Sequence, residues 1–228
     1  HSMSFQTLVE VGFWQTNIVS EDSRIFWQCY NFYNGDYETV SLYAPVYMDA
    51  AVDATFWKSM KALYKQQRRW AWGTENLVYV LFAFLKNKGL PFGKKLRHGF
   101  NLVEGYYSWA TNALIIFLMG WLPVFLGGTA FNLTILSYNL PRITRFVMTL
   151  AMVGLVSSAV ISMNLLPPRP PHYGKGKYAW MLLQWVLVPL TTIIFGSIPA
   201  LDAQTRLMLG KYMGFWVTPK SREGVGKR

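Results

Sequence analysis

Gln66-Gln67-Arg68-Arg69-Trp70 lies well downstream of Ser20-Glu21-Asp22 and shortly before long apolar segments. Two adjacent carboxylates, then a Gln/Arg/Trp cluster close to a membrane, suit chemistry on a phosphorylated sugar. An Asp or Glu can take the proton of a sugar hydroxyl. The planar fork of Arg pairs with a diphosphate, and Trp offers a flat face for a sugar ring. On a helix, Gln66 shares a face with Arg69 and with Trp70, at spacings of three and four.

Composition sets the class. The chain has 228 residues, 52% hydrophobic and 14% charged, with a net charge of +11. Soluble domains carry about a quarter charged residues, so solvating groups are scarce here. Ten Trp, thirteen Tyr and fifteen Phe add to the apolar load. These features imply an integral membrane protein with a basic cytoplasmic side. The positive charge is assigned to the lipid bilayer, and no nucleic-acid partner is expected. The single cysteine, Cys29, excludes an internal disulfide and fits a reducing compartment. His1, His98 and His172 are scattered, so no Cys/His cluster has metal-ligand spacing.

Local signals predict mixed α/β structure at first. Ser4 caps a short helix to Val11, and Ser20 caps a second helix over Glu21 to Phe32, with both acids in its first turn. Asn34-Gly35-Asp36 reads as a turn, and Tyr37 to Tyr43 alternates like a strand. Residues 53–88 read as amphipathic interfacial helix rich in Trp, Tyr and Lys/Arg.

Three segments are apolar enough to enter a bilayer, which takes about 20 residues to span. They are Tyr106–Leu126, Arg145–Leu166 and Tyr178–Leu201, with Tyr106, Tyr107, Trp109, Tyr178 and Trp180 as interfacial belt residues. Pro167-Pro168-Arg169-Pro170-Pro171 is too proline-rich for helix and reads as a stiff loop. Basic residues over 86–97 and in the tail both indicate the cytoplasmic side. Three full spans cannot satisfy both, so either one segment is re-entrant or the charge rule fails once. Pro189 and Pro199 single out Tyr178–Leu201 as the segment to be broken or re-entrant.

Each motif has a plainer reading. Glu21-Asp22 alone are helix-start carboxylates favoured by the dipole. Arg68, Trp72 and Lys65 read as an interfacial helix with Trp at headgroup level. Asp202 reads as an exposed helix-start residue, and the sequon Asn132-Leu133-Thr134 carries no weight.

The ordered pair Ser-Glu-Asp and Gln-Gln-x-Arg-Trp, followed by apolar segments, resembles the motifs of membrane-bound family 2 glycosyltransferases, the cellulose, chitin and hyaluronan synthase group. Phe215-Trp216-Val217-Thr218-Pro219-Lys220 also resembles the Phe-x-Val-Thr-x-Lys gating loop of bacterial cellulose synthase, matching at Phe215, Val217, Thr218 and Lys220. The resemblance implies that Asp22 is the general base with Glu21 as its partner. It further implies that Gln66 and Arg69 hold the nucleotide diphosphate and that Trp70 stacks under the acceptor sugar. Thr218 and Lys220 would close over the donor. The family also uses a divalent cation, Mg or Mn, held by an Asp-x-Asp. None occurs among the acidic residues here, so the resemblance implies that the cation is bound by an N-terminal half outside this sequence.

The expected fold is therefore membrane α-helical with a partial α/β, GT-A-like N-terminal portion and two to three transmembrane segments. Residues 1–52 would belong to the catalytic domain, 53–104 to interfacial helices, 105–201 to the membrane, and 202–228 to a cytoplasmic tail. The expected function is that of an inverting glycosyltransferase fragment, inactive alone, in a multi-pass cytoplasmic membrane protein. It would move a sugar from a nucleotide-sugar donor to a polysaccharide or lipid-linked acceptor. The alternative is a small multi-span transporter or scaffold. Transporters place ionisable groups within spans, whereas the three apolar segments contain no Asp, Glu, Lys or His.

Overall fold

Ser4 opens the first helix by a cap: its hydroxyl accepts the Thr7 amide at 3.1 Å, starting α1 (Phe5–Glu10). The computed structural model describes residues 2–44, 46, 53–165, 176–214 and 216. Most of these are helical. After α1 come α2 (Glu21–Phe32), α3 (Phe56–Ala71), a 3₁₀ turn (Trp72–Thr74), α4 (Glu75–Lys86) and α5 (Phe92–Met119). Then follow α6 (Leu122–Leu126), α7 (Gly128–Asn132), α8 (Ile135–Leu165), α9 (Gly176–Val186), α10 (Val188–Thr192), a π turn (Ile193–Ser197) and α11 (Ile198–Met208).

The expected α/β portion is corrected. No strand occurs among the described residues, and 37–43 forms neither strand nor helix. An isolated strand leaves its backbone groups unpaired. Here Val40, Leu42 and Tyr43 are also fully exposed, so no packed face compensates. The turn before it forms as expected, with Asn34 (φ 52°) and Gly35 (φ 83°) both left-handed. A Cβ on Gly35 would stand 2.6 Å from Leu90 Cδ1, so space as well as backbone conformation calls for glycine.

Contacts separate two units, one drawn from His1–Ala110 with Ile198–Arg228, the other from Thr111–Ser197. In the first, α11 makes its most extensive pairing with α3. Ala71, Ala200 and Ala203 are fully buried with Trp72, Val19 and Ala110, and such short side chains let helices approach closely. A second core joins Tyr30 of α2 to Val80 and Phe84 of α4 and to Leu90. Trp72, expected at headgroup level, is instead 1% exposed. Tyr106, expected in an interfacial belt, donates its hydroxyl to the Gly73 carbonyl at 2.8 Å.

In the second unit, α8 is long and apolar enough to cross a membrane, with mean hydropathy 2.1. It starts at Ile135 rather than Arg145, because the Thr134 hydroxyl accepts the Ser137 amide at 3.2 Å. Its apolar side chains are largely exposed. Among the described residues no other helix passes the same test. The segment expected over Tyr106–Leu126 breaks at Gly120-Trp121, where a Cβ on Gly120 would collide with Thr144 Cγ2 at 2.5 Å. Tyr178–Leu201 is broken as Pro189 predicts, into α9, α10, the π turn and α11. The proline-rich stretch 167–171 lies outside the described residues.

Candidate functional site

The first turn of α2 faces the last turn of α3 across a cavity of about 250 Å³. Glu21, Asp22, Arg69, Trp70, Gly73 and Tyr106 line it, with Val19, Ser20 and Ser23 completing the wall. Four of the sequence-predicted residues therefore come together. Gln66 does not belong to the lining, so the diphosphate role expected for it has no geometric support here. Phe215, Val217, Thr218 and Lys220 lie outside the described residues.

Electrostatics follow from the helix ends. The N-terminus of α2 carries partial positive charge and bears Glu21 and Asp22; the C-terminus of α3 carries partial negative charge and bears Arg68 and Arg69. Asp22 is exposed and accepts the Ser23 amide at 2.8 Å. Glu21 has one carboxylate oxygen, Oε2, buried with no hydrogen-bond partner among the described residues. Trp70 lines the cavity and is 52% exposed.

The two arginines divide their work. Consecutive helical residues point about 100° apart. Arg69 lines the cavity, whereas Arg68 Nη1 pairs with Asp202 Oδ2 at 2.8 Å. Asp202 sits inside α11, not at a helix start, and also accepts from Arg206 Nε at 2.6 Å and the Tyr64 hydroxyl at 3.2 Å. Burial pushes its carboxyl up, but hydrogen bonds and charge from Arg68 and Arg206 outweigh this and hold it below the ordinary carboxylate value. Lys65 lies over the Trp216 ring, 5.1 Å from its centroid.

Glu75 and Asn76, which the sequence did not flag, fix the carboxylate-bearing turn. Glu75 Oε1 accepts from the Ser20 hydroxyl at 2.6 Å and from the Ser20 and Val19 amides at 3.2 and 3.3 Å. Its Oε2 accepts from Trp72 Nε1 at 3.1 Å. Ser20 occupies the N-cap position of α2, but its side chain does not cap; the hydroxyl is given to Glu75 instead. Asn76, fully buried, donates to Ser20 Oγ at 3.1 Å and Ser23 Oγ at 2.9 Å, and accepts from Arg24 Nε. Arg24 is buried over the Tyr79 ring at 4.0 Å. Burial lowers its pKa, opposed by the Glu75 charge. The missed signal was a Glu-Asn pair directly behind the Trp-rich motif, opening an otherwise apolar helix.

No group of three or more His, Cys, Asp or Glu residues that could hold a metal ion occurs among the described residues. Glu21 and Asp22 alone do not make such a site; the family resemblance places the divalent cation on residues outside this sequence. Comparison of the chain with protein-family models, curated proteins and solved structures gave no match.

Proposed function

We propose that the chain is the acceptor-side portion of a membrane-associated inverting glycosyltransferase acting on a nucleotide-sugar donor. The observation that carries this reading is the convergence of Glu21, Asp22, Arg69 and Trp70 on one cavity. These residues come from two helices far apart in sequence, and their types match the needs of sugar transfer.

In the proposed reaction an acceptor hydroxyl attacks the anomeric carbon of the donor sugar. A carbon–oxygen bond forms on one face while the bond to the diphosphate oxygen breaks on the other. The electron pair leaves with the nucleoside diphosphate, and the hydroxyl proton passes to Asp22. Arg69 pairs with the diphosphate as charge collects on it. Trp70 stacks on the acceptor ring and orients its hydroxyl toward Asp22. Glu21 lines the same cavity beside Asp22, on the side where the acceptor hydroxyl would lie.

The acceptor is a growing polysaccharide or a lipid-linked glycan. Its proximity to a bilayer is supported by α8 and by exposed apolar stripes on α4 (Val78, Leu81, Phe82, Leu85), flanked by Lys86 and Lys88. In this reading the basic 86–97 region lies at the cytoplasmic face of a multi-pass protein.

The test is a nucleotide-sugar panel offered to membranes from cells expressing the whole reading frame that encodes the chain. Release of nucleoside diphosphate with one donor, dependent on added acceptor, is the expected result. Silence with every donor, from protein shown to be folded, contradicts the reading.

A further inference from the structure

A second cavity, of about 370 Å³, lies between the C-terminal half of α2 and the N-terminal turns of α5. The volume falls within the range of small-molecule sites, about 300–1,000 Å³. From α2 come Phe26 and Tyr30, stacked at 5.8 Å and 28°. From α5 come Lys94, Arg97 and His98, at spacings of three and four that put them on one face. Tyr37, Glu38 and Thr39, which follow α2 and its turn, border the third side.

The base is rigid. Tyr30 meets the His98 ring at 4.8 Å, and Trp27 meets it at 5.8 Å. Lys94 spends one donor on the Gly35 carbonyl at 3.0 Å, which aims its ammonium at the cavity rim. Arg97 forms no ion pair among the described residues. Lys94 and Arg97 stand against the single lining carboxylate, Glu38, so the cavity is net positive. Burial first, then the Arg97 and Lys94 charges, lower the pKa of His98 and favour its neutral form.

We infer that this cavity is a second ligand site, for a phosphate-bearing sugar, with Arg97 and Lys94 on the phosphate and the partly exposed Phe26 ring, backed by buried Tyr30, as a shelf under the sugar. Guanidinium and ammonium groups without a matched carboxylate recognise phosphate. The Phe26 ring, held from behind by Tyr30, offers a flat apolar face that a pyranose can cover. Glu38 and Thr39 supply acceptors and a hydroxyl for the sugar edge. Along α5 the linings are eight residues apart, His98 to Tyr106, roughly 12 Å, whereas along α2 they come as near as Ser23 and Phe26. The site does not depend on the sugar-transfer reading.

The experiment uses the chain in neutral-lipid nanodiscs with ¹³C-labelled histidine, the His98 signal being assigned by its loss in His98→Gln. Glucose 1-phosphate, inorganic phosphate and glucose are titrated separately. A phosphate beside Arg97 places negative charge near the imidazole, so glucose 1-phosphate should raise the His98 titration midpoint. It should bind more tightly than either half alone. Arg97→Gln should weaken it at least tenfold, whereas Arg69→Ala should not change it. An unmoved His98 signal at 10 mM glucose 1-phosphate overturns the proposal, as does indifference to Arg97→Gln. Equal binding of phosphate and glucose 1-phosphate removes the sugar shelf. A response only to nanodiscs containing anionic lipid assigns the cavity to a lipid headgroup and overturns the carbohydrate assignment.

Discussion

The Ser20 hydroxyl donates to Glu75 Oε1 at 2.6 Å, tying the turn that carries Glu21 and Asp22 to the start of α4. The same oxygen takes two backbone amides of that turn, and the other carboxylate oxygen holds the Trp72 indole. One side chain thus sets the position of the first turn of α2 relative to the 3₁₀ turn that follows Trp70. Glu75→Ala leaves these donors without their acceptor, and an unsatisfied buried donor costs about 1–3 kcal/mol. The expected outcome is a lowered thermal or denaturant midpoint followed by tryptophan fluorescence, with Glu75→Gln recovering part of the loss. An unchanged midpoint in Glu75→Ala would remove Glu75 from this role.

Arg68 and Arg69 should separate stability from ligand binding. Arg68→Ala strands Asp202 inside the α3–α11 contact and should lower the unfolding midpoint, with little effect on nucleoside diphosphate affinity. Arg69→Ala should do the reverse, weakening diphosphate binding by about 1.5–3 kcal/mol, the range for hydrogen bonds to charged groups. Paired calorimetric titrations and melts of the two variants decide it; matching profiles would contradict the division.

The two tryptophans should divide in the same way. Trp72 is buried in the core with Ala71 and Ala200, so Trp72→Ala should cost about 3–5 kcal/mol of stability. Trp70 is half exposed at the cavity, so Trp70→Ala should leave the melt nearly unchanged and raise the acceptor concentration needed for half-maximal transfer. A large loss of stability in Trp70→Ala would show that its role is packing.

Asp202 gives the pH dependence. Its folded pKa is depressed, so the stability it contributes is present above the unfolded value of about 3.9 and is lost as pH falls through the lower folded value. Wild type should therefore exceed Asp202→Asn in stability near neutral pH, and the gap should close below about pH 3. Melting curves of both proteins across pH 2–7 measure it. A gap that persists at the acid end would mean that the carboxylate charge is not what holds Arg68.

Much of this arrangement was legible because it is local. Ser4 and the acids after Ser20 announce α1 and α2, Asn34-Gly35 announces its turn, and Pro189 announces a break. The carboxylates and the Arg-Trp pair stood out in the sequence by residue type and order, and the structure places them on one cavity. What stayed hidden was long-range. Nothing local says that Arg68 reaches Asp202, or that Tyr106 turns to Gly73 rather than to an interface. Glu75 and Asn76 look like an ordinary helix start until the partner turn is seen. The strand expected at 37–43 failed for the same reason, since alternation in sequence cannot supply a pairing partner.

The central claim is that Asp22 takes the acceptor proton in the cavity it shares with Arg69. It is tested most directly by Asp22→Asn in the complete membrane-embedded enzyme, with sugar transfer and nucleoside diphosphate binding measured on the same preparation. The account predicts a fall in transfer of about 100–10,000-fold, the contribution of a general base, with diphosphate affinity unchanged within a factor of about three. A variant that keeps more than a tenth of the wild-type transfer rate, or that loses diphosphate binding together with transfer, would contradict it.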